Sequence, residues 1–234
     1  MTEASSGAGA FAERGTPRGH ATSRRANHRP EELRRRLPRL LLGLLLCGVG
    51  IASMVAADLG LGPWDVLHQG ISQRTGIPIG MVGILVGVVV LGLWFPLRER
   101  PGAGTVLNVV VIGVVIDLTL LVLATPTALW ARTVMMLLGP VLFAIGSGFY
   151  IGAGLGPGPR DGVMTGLARR GIPVGAARAL IELSVLVGGW LLGGTVGVGT
   201  VVFAFGIGPL VHVLLPRLTL ADAQRSTGSG DRAA

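Results

Sequence analysis

The amino-acid sequence predicts an all-α integral membrane fold: six transmembrane helices as two inverted three-helix repeats, each with a short helix after a Gly-Pro loop. Three observations lead there: six apolar runs of bilayer length, arginines gathered in alternate loops, and a pair of motifs that returns after about 96 residues.

Half of the 234 residues are apolar, mean hydropathy is +0.67 and 14% are charged, where a soluble domain carries roughly 25%. The apolar excess is concentrated in segments 39–57, 79–97, 104–124, 132–153, 175–193 and 198–216. Each approaches the roughly 20 residues a helix needs to cross the hydrocarbon core. The runs are continuous rather than alternating, which excludes a β-barrel. In lipid, a continuous run satisfies its own backbone groups only as a helix.

The net charge of +8 is segregated rather than spread. Arg14, Arg18, Arg24, Arg25, Arg29, Arg34, Arg35, Arg36 and Arg39 crowd the start of the chain. With that end in the cytoplasm, loops 98–103 and 154–174 and the C-terminal tail also fall inside. They carry Arg98, Arg100, Arg160, Arg169, Arg170, Arg217, Arg225 and Arg232, whereas the outer loops carry Arg74 and Arg132. The positive-inside rule is thereby met, giving a multi-pass protein of the cell membrane with both termini cytoplasmic. The Arg24-Arg25 pair has the look of an export signal, but the apolar run starts well after it and further spans follow, so 39–57 reads as a retained first helix. The expected organisation is a disordered Arg-rich cytoplasmic tail over 1–38, repeats over 39–124 and 132–216, and a disordered cytoplasmic tail over 217–234.

Laid over itself, the chain matches Ala57-Asp58-Leu59-Gly60-Leu61-Gly62-Pro63-Trp64-Asp65 with Ala153-Gly154-Leu155-Gly156-Pro157-Gly158-Pro159-Arg160-Asp161. Gly76-Ile77-Pro78-Ile79-Gly80 then matches Gly171-Ile172-Pro173-Val174-Gly175, and Gly102, Gly104, Thr105 and Val106 match Gly197, Gly199, Thr200 and Val201. Upstream, Gly43 and Gly50 match Gly139 and Gly146. Three spans is an odd number, so the second copy enters the membrane from the opposite face, and the repeats are related by an axis in the membrane plane.

The pattern LGLGPWD followed by GIPIGM, its echo LGPGPRDG followed by GIPVG, and the six-span layout resemble the YczE branch of the YczE/YyaS/YitT group of bacterial membrane proteins. The resemblance runs from residue 38 to residue 216 and implies a multi-pass membrane location without a settled activity. The echo departs from the first copy in placing Arg160 where Trp64 stands.

Each Gly-Pro loop leads into a stretch that reads as a short helix, PWDVLHQGISQRT at 63–75 and PRDGVMTGLARR at 159–170. Proline at the first helical position with Asp two places on is a helix-start signal. One reading of Asp65 and Asp161 is therefore local: each offsets the helix dipole, contributing about 0.3–1 kcal/mol. The other starts from the membrane, where such a segment folds back only if it lines a cavity or is buried in protein. Helix starts at Gly62-Pro63 and Gly158-Pro159 would then meet from opposite faces, their amides suited to an anionic or carbonyl-bearing solute. In the alternative, Asp65 or Asp161 would hold a cation or carry a proton. Whether these segments are re-entrant or interfacial stays open.

Other ionisable residues within spans ask for an explanation, because a central charge costs about 2.5–3.5 kcal/mol on insertion scales. Asp117 and His212 occupy equivalent positions and read as two stations of one proton or ion path, or as hydrogen-bonded structural groups. Arg178 and Glu182 are one turn apart and read as a mutual pair. Their first-copy counterparts are Gly83 and Gly87, so they mark a wall specific to one half. Glycine pairs 83/87, 148/152 and 189/193 have the spacing of close helix approach, either within the bundle or at a homodimer face.

The single Cys47 lies inside the first run, and His20, His28, His68 and His212 are scattered, so neither a metal site nor a cofactor is expected. The basic tail holds one aromatic, Phe11, and makes no nucleic-acid face. No catalytic triad or phosphate loop is present, which argues against an enzyme. Two functions remain: a small-solute or ion transporter with its site at the repeat interface, or a non-transporting membrane protein that assists or regulates a partner. In both the bilayer is the surrounding medium.

Overall fold

The structure, a computed structural model, describes residues 30–99 and 101–219. Among them are eight helices: α1 (Pro30–Ala57), α2 (Pro63–Thr75), α3 (Ile79–Leu97), α4 (Ala103–Val122), α5 (Leu129–Gly152), α6 (Pro159–Ala168), α7 (Val174–Leu191) and α8 (Val198–Leu218). Six of these are apolar and long enough to cross a membrane, and α2 and α6 are the short pair. The chain is an all-helical, multi-pass membrane protein.

The span boundaries follow the hydropathy closely except at the start. α1 begins at Pro30, so residues 30–38, expected in the first tail, are helical. Proline opens a helix without loss, because the first N–H has no intrahelical acceptor. The rest of that tail, 1–29, and 220–234 of the second lie outside the described residues. α8 runs on through Leu218, two residues beyond the expected span.

α1 is the most buried span and α7 the least. The bundle is organised on the crossing of α1 with α5, where small residues let the backbones approach. A Cβ at Gly43 would stand 2.6 Å from the Gly146 oxygen, and one at Gly50 2.7 Å from the Gly139 oxygen. The pairing of the earlier glycine on one helix with the later on the other makes α1 and α5 antiparallel. α4 packs on α1 and α8 on α5, while α2 lies against α7 and α6 against α3.

The Leu-Gly-x-Gly-Pro turns depend on glycine for their backbone path. Gly60 has φ 112° and Gly156 φ 134°, a region that side chains other than glycine enter at a cost. Each turn also presses against the N-terminus of a helix from the other half. Gly199 N donates to Leu59 O at 2.8 Å, and Gly104 N donates to Leu155 O at 3.0 Å. Gly102 and Gly197 accept matching caps, each N–H donating to the hydroxyl three residues on, Thr105 or Thr200, at 3.2 Å.

One difference between the halves shapes the interior. α3 lies along α4, whereas α7 and α8 barely touch. Gly80 and Gly113 are in backbone contact, but a Cβ at their counterparts Gly175 and Gly208 would meet nothing within 4 Å. Of the glycine pairs singled out by spacing, Gly87 packs on Val109, Gly148 and Gly152 on the end of α8, and Gly189 on α2, all within the chain.

Candidate functional site

All eight helices contribute to one cavity of ≈ 300 Å³ in the middle of the bundle. The first turns of α2 and α6 enter it side by side, because each Gly-Pro turn caps its helix with extended backbone at Gly62 or Gly158 and proline at the first position. Pro63, Trp64 and Asp65 line it from α2, and Gly158, Pro159, Arg160 and Asp161 from α6. Trp64 and Arg160, which hold matched positions in the two Gly-Pro stretches, are in contact: the Arg160 guanidinium carbon lies 4.8 Å from the centre of the Trp64 ring. That is cation–π distance.

Arg160 makes no hydrogen bond among the described residues. It shares the cavity lining with the Asp65, Asp161 and Glu182 carboxylates. Asp65 is buried, and its Oδ1 is 3.5 Å from His68 Nδ1, one turn along α2. Asp161 is open to the cavity and accepts from the Tyr150 hydroxyl at 3.5 Å and from the Gly158 amide. On α7, Arg178 Nε donates to Glu182 Oε1 at 3.0 Å, so this cation is already engaged. The indole N–H of Trp64 is buried without an acceptor among the described residues. Apolar walls complete the cavity, with Ile51, Ile116, Phe143, Phe203 and Ile207 among them.

The two half-structures close the cavity differently. α6 is held by Trp94, whose indole N–H donates to Pro159 O at 2.9 Å and whose ring covers Gly162. α2 is held by direct backbone approach, Gly189 lying under Leu67 and Gly194 under Val66. The first turn of α2 is buried, while Asp161, Arg178 and Gly208 remain accessible where α7 stands off α8.

Of the residues picked out in the sequence, Pro63, Asp65, Gly158, Pro159, Asp161, Arg178 and Glu182 line the cavity. Gly62 stands just behind it, where a Cβ would press on Phe203. Asp117 and His212 do not line it. Asp117 instead accepts from the Gly80 and Met81 amides at 2.7 and 2.9 Å, capping α3 from α4. His212 is exposed on α8 and makes no hydrogen bond among the described residues. Sequence reasoning passed over His68, Tyr150 and Asn108, all cavity residues. His68 was findable, since a His three places after an Asp shares its helix face. Asn108 and Tyr150 also carried a signal, as isolated polar groups within apolar spans. Among the described residues no group of three or more His, Cys, Asp or Glu is placed to hold a metal ion.

Residues 34–216 match a protein family described as a family of unknown function, DUF6198, and the chain belongs to that family. An uncharacterized protein of Haemophilus influenzae is 42% identical over 177 residues, 75% of this chain and 81% of the relative. The uncharacterized membrane protein YczE of Bacillus subtilis is 33% identical over 178 residues, 75% of this chain and 83% of the relative. YyaS of the same organism is 27% identical over 182 residues, 75% of this chain and 90% of the relative. The YczE/YyaS grouping read from the Gly-Pro motifs is thus met at the level of the group. No solved structure matches.

Proposed function

We propose that this member of the family is a small-solute transporter that works by alternating access between two inverted three-helix repeats. The observation that carries the reading is the unequal closure of equivalent helix pairs around a charged central cavity: α3 sits on α4 through Gly80 and Gly113, while α7 stands off α8 at Gly175 and Gly208. A chain that keeps the same small-residue contact in both halves, but uses it in one, has the means to exchange the two arrangements. The inverted relation is supported by the antiparallel crossing of the matched helices α1 and α5, and by the reciprocal bonds Gly199 N to Leu59 O and Gly104 N to Leu155 O. The arginine distribution sets the termini and the Arg169 loop in the cytoplasm, so the open side faces inward. On this reading α2 and α6 are re-entrant, which their burial around a cavity permits in lipid.

The test is uptake of labelled amino acids, carboxylates, amines and inorganic cations into proteoliposomes. It uses a Cys47→Ala background carrying Gly175→Cys and Gly208→Cys. Uptake above empty liposomes, abolished by oxidative cross-linking of the pair and restored by a reductant, is the expected result. Uptake of none of these solutes, with a fixed partner co-purifying, would favour the rival reading of a membrane protein that assists or regulates a partner. External thiol labelling of Arg169→Cys but not Arg74→Cys in intact cells would reverse the orientation.

A further inference from the structure

We propose that the cavity binds a zwitterionic solute of the size and polarity of an apolar α-amino acid. This rests on the transport reading for the site and goes beyond it in naming the solute. The Arg160 guanidinium carbon lies over the Trp64 ring at 4.8 Å, and the group makes no hydrogen bond among the described residues. A planar fork of unengaged donors is matched by a carboxylate, which it binds through two parallel hydrogen bonds.

The rest of the lining asks for a cation on the same molecule. Arg178 is taken up by Glu182, which leaves Arg160 sharing the cavity with two further carboxylates, Asp65 and Asp161, each with acceptor capacity to spare. A simple anion on Arg160 would add a third negative charge where, among the described residues, Arg160 is the one cavity arginine without a hydrogen bond, and crowding like charges in a bundle interior is disfavoured. A simple amine would satisfy the carboxylates but leave the guanidinium donors empty and bring a second cation beside them. A zwitterion leaves the charge balance unchanged and fills both sets of groups. Phe143, Phe203 and Ile207 provide an apolar wall for a side chain. A cavity of ≈ 300 Å³ is at the small end of ligand sites, which run from about 300 to 1,000 Å³.

The experiment is calorimetric titration of the full-length protein in lipid nanodiscs with L-leucine, L-valine and L-phenylalanine. Isoamylamine and 4-methylpentanoate serve as the leucine analogues lacking one charge. At least one amino acid should bind, about tenfold or more tighter than either single-charge analogue. Arg160→Gln should abolish the preference for leucine over isoamylamine, with isoamylamine binding at least as tightly as to the native protein, because the cation that repels it is gone. Asp161→Asn should bring leucine down to the affinity of 4-methylpentanoate. Arg160→Lys, which keeps the charge and loses the fork, should fall between. Helical circular dichroism and a single gel-filtration peak establish that each variant is folded. Equal binding of either analogue, no binding of any amino acid, or full leucine affinity in folded Arg160→Gln would overturn the proposal. If leucine binds but never enters proteoliposomes, the transport reading fails and zwitterion recognition stands. If isoamylamine alone is transported, transport stands and the solute class falls.

Discussion

The α3–α4 pair and the α7–α8 pair carry matching stretches of sequence, yet one is shut and the other ajar. In the first, Gly80 meets Gly113, Gly87 meets Val109, and Asp117 caps α3. In the second, the equivalent Gly175, Gly208, Glu182 and Ala204 are all present without that packing. Side-chain size is exchanged across the pairs, small on α3 against large on α4, and large on α7 against small on α8. The same exchange recurs at the short helices, where Trp94 covers Gly162 while its counterpart Gly189 lies under Val66 and Leu67. Two halves can therefore keep one architecture while dividing the volume at each contact differently.

The largest effect is expected where that exchange is most extreme. Trp94 is fully buried and bonded to the first residue of α6, so Trp94→Ala leaves a large void and frees the Pro159 carbonyl. The expected loss is about 3–5 kcal/mol, read by detergent-induced unfolding followed with circular dichroism. Adding Gly162→Val, which imitates the α2–α7 contact, should recover part of it, since touching residues are coupled. A double variant no more stable than Trp94→Ala would show that the two interfaces are not interchangeable.

A smaller but more diagnostic contrast lies in the glycines. Gly80→Val places a Cβ into the Gly113 backbone and should cost about 1–3 kcal/mol by overpacking. Gly175→Val meets open space and should change stability by within about 0.5 kcal/mol. Uptake should nevertheless fail in Gly175→Val, because the contact it blocks belongs to the other arrangement. Equal thermal shifts for the two variants, or normal uptake by folded Gly175→Val, would remove the case for exchange.

How much of this could be read without coordinates follows from the kind of force involved. The spans were legible because lipid demands long apolar helices, and α3 lies over the residues expected, 79 to 97. The doubled Gly-Pro turns were legible because glycine and proline report backbone geometry directly. The start of α1 was not, because Arg34, Arg35 and Arg36 lower hydropathy without breaking a helix. At the cavity, Asp65 and Asp161 were reachable from the repeat, and so was the Trp64–Arg160 difference. That these last two touch was not, since contact between halves depends on tertiary packing that no local pattern encodes. Asp117 shows the same limit from the other side: a lone carboxylate in a span read either as a station on a proton or ion path or as a hydrogen-bonded structural group, and only the structure shows the two backbone amides it holds.

Asp117 and His212 therefore supply the finest test of the comparison. Asp117 accepts two amides at the start of α3, the work normally done by a side chain at the helix's own N-cap, where Pro78 offers none. Asp117→Ala removes both bonds and should cost about 0.5–2 kcal/mol. Asp117→Asn keeps one acceptor oxygen and should lose less. His212 stands at the equivalent place on α8 with α7 out of reach, so His212→Ala should leave stability within about 0.5 kcal/mol. If α7 closes on α8 during a cycle, His212 approaches the amides of Gly175 and Ala176 only in that state. His212→Ala would then slow uptake while leaving the melting curve in place. Were Asp117→Ala instead to abolish uptake with no loss of stability, the carboxylate would act on the solute or a proton and not on the helix. Measuring the melting curve and the uptake rate on the same preparation separates these outcomes.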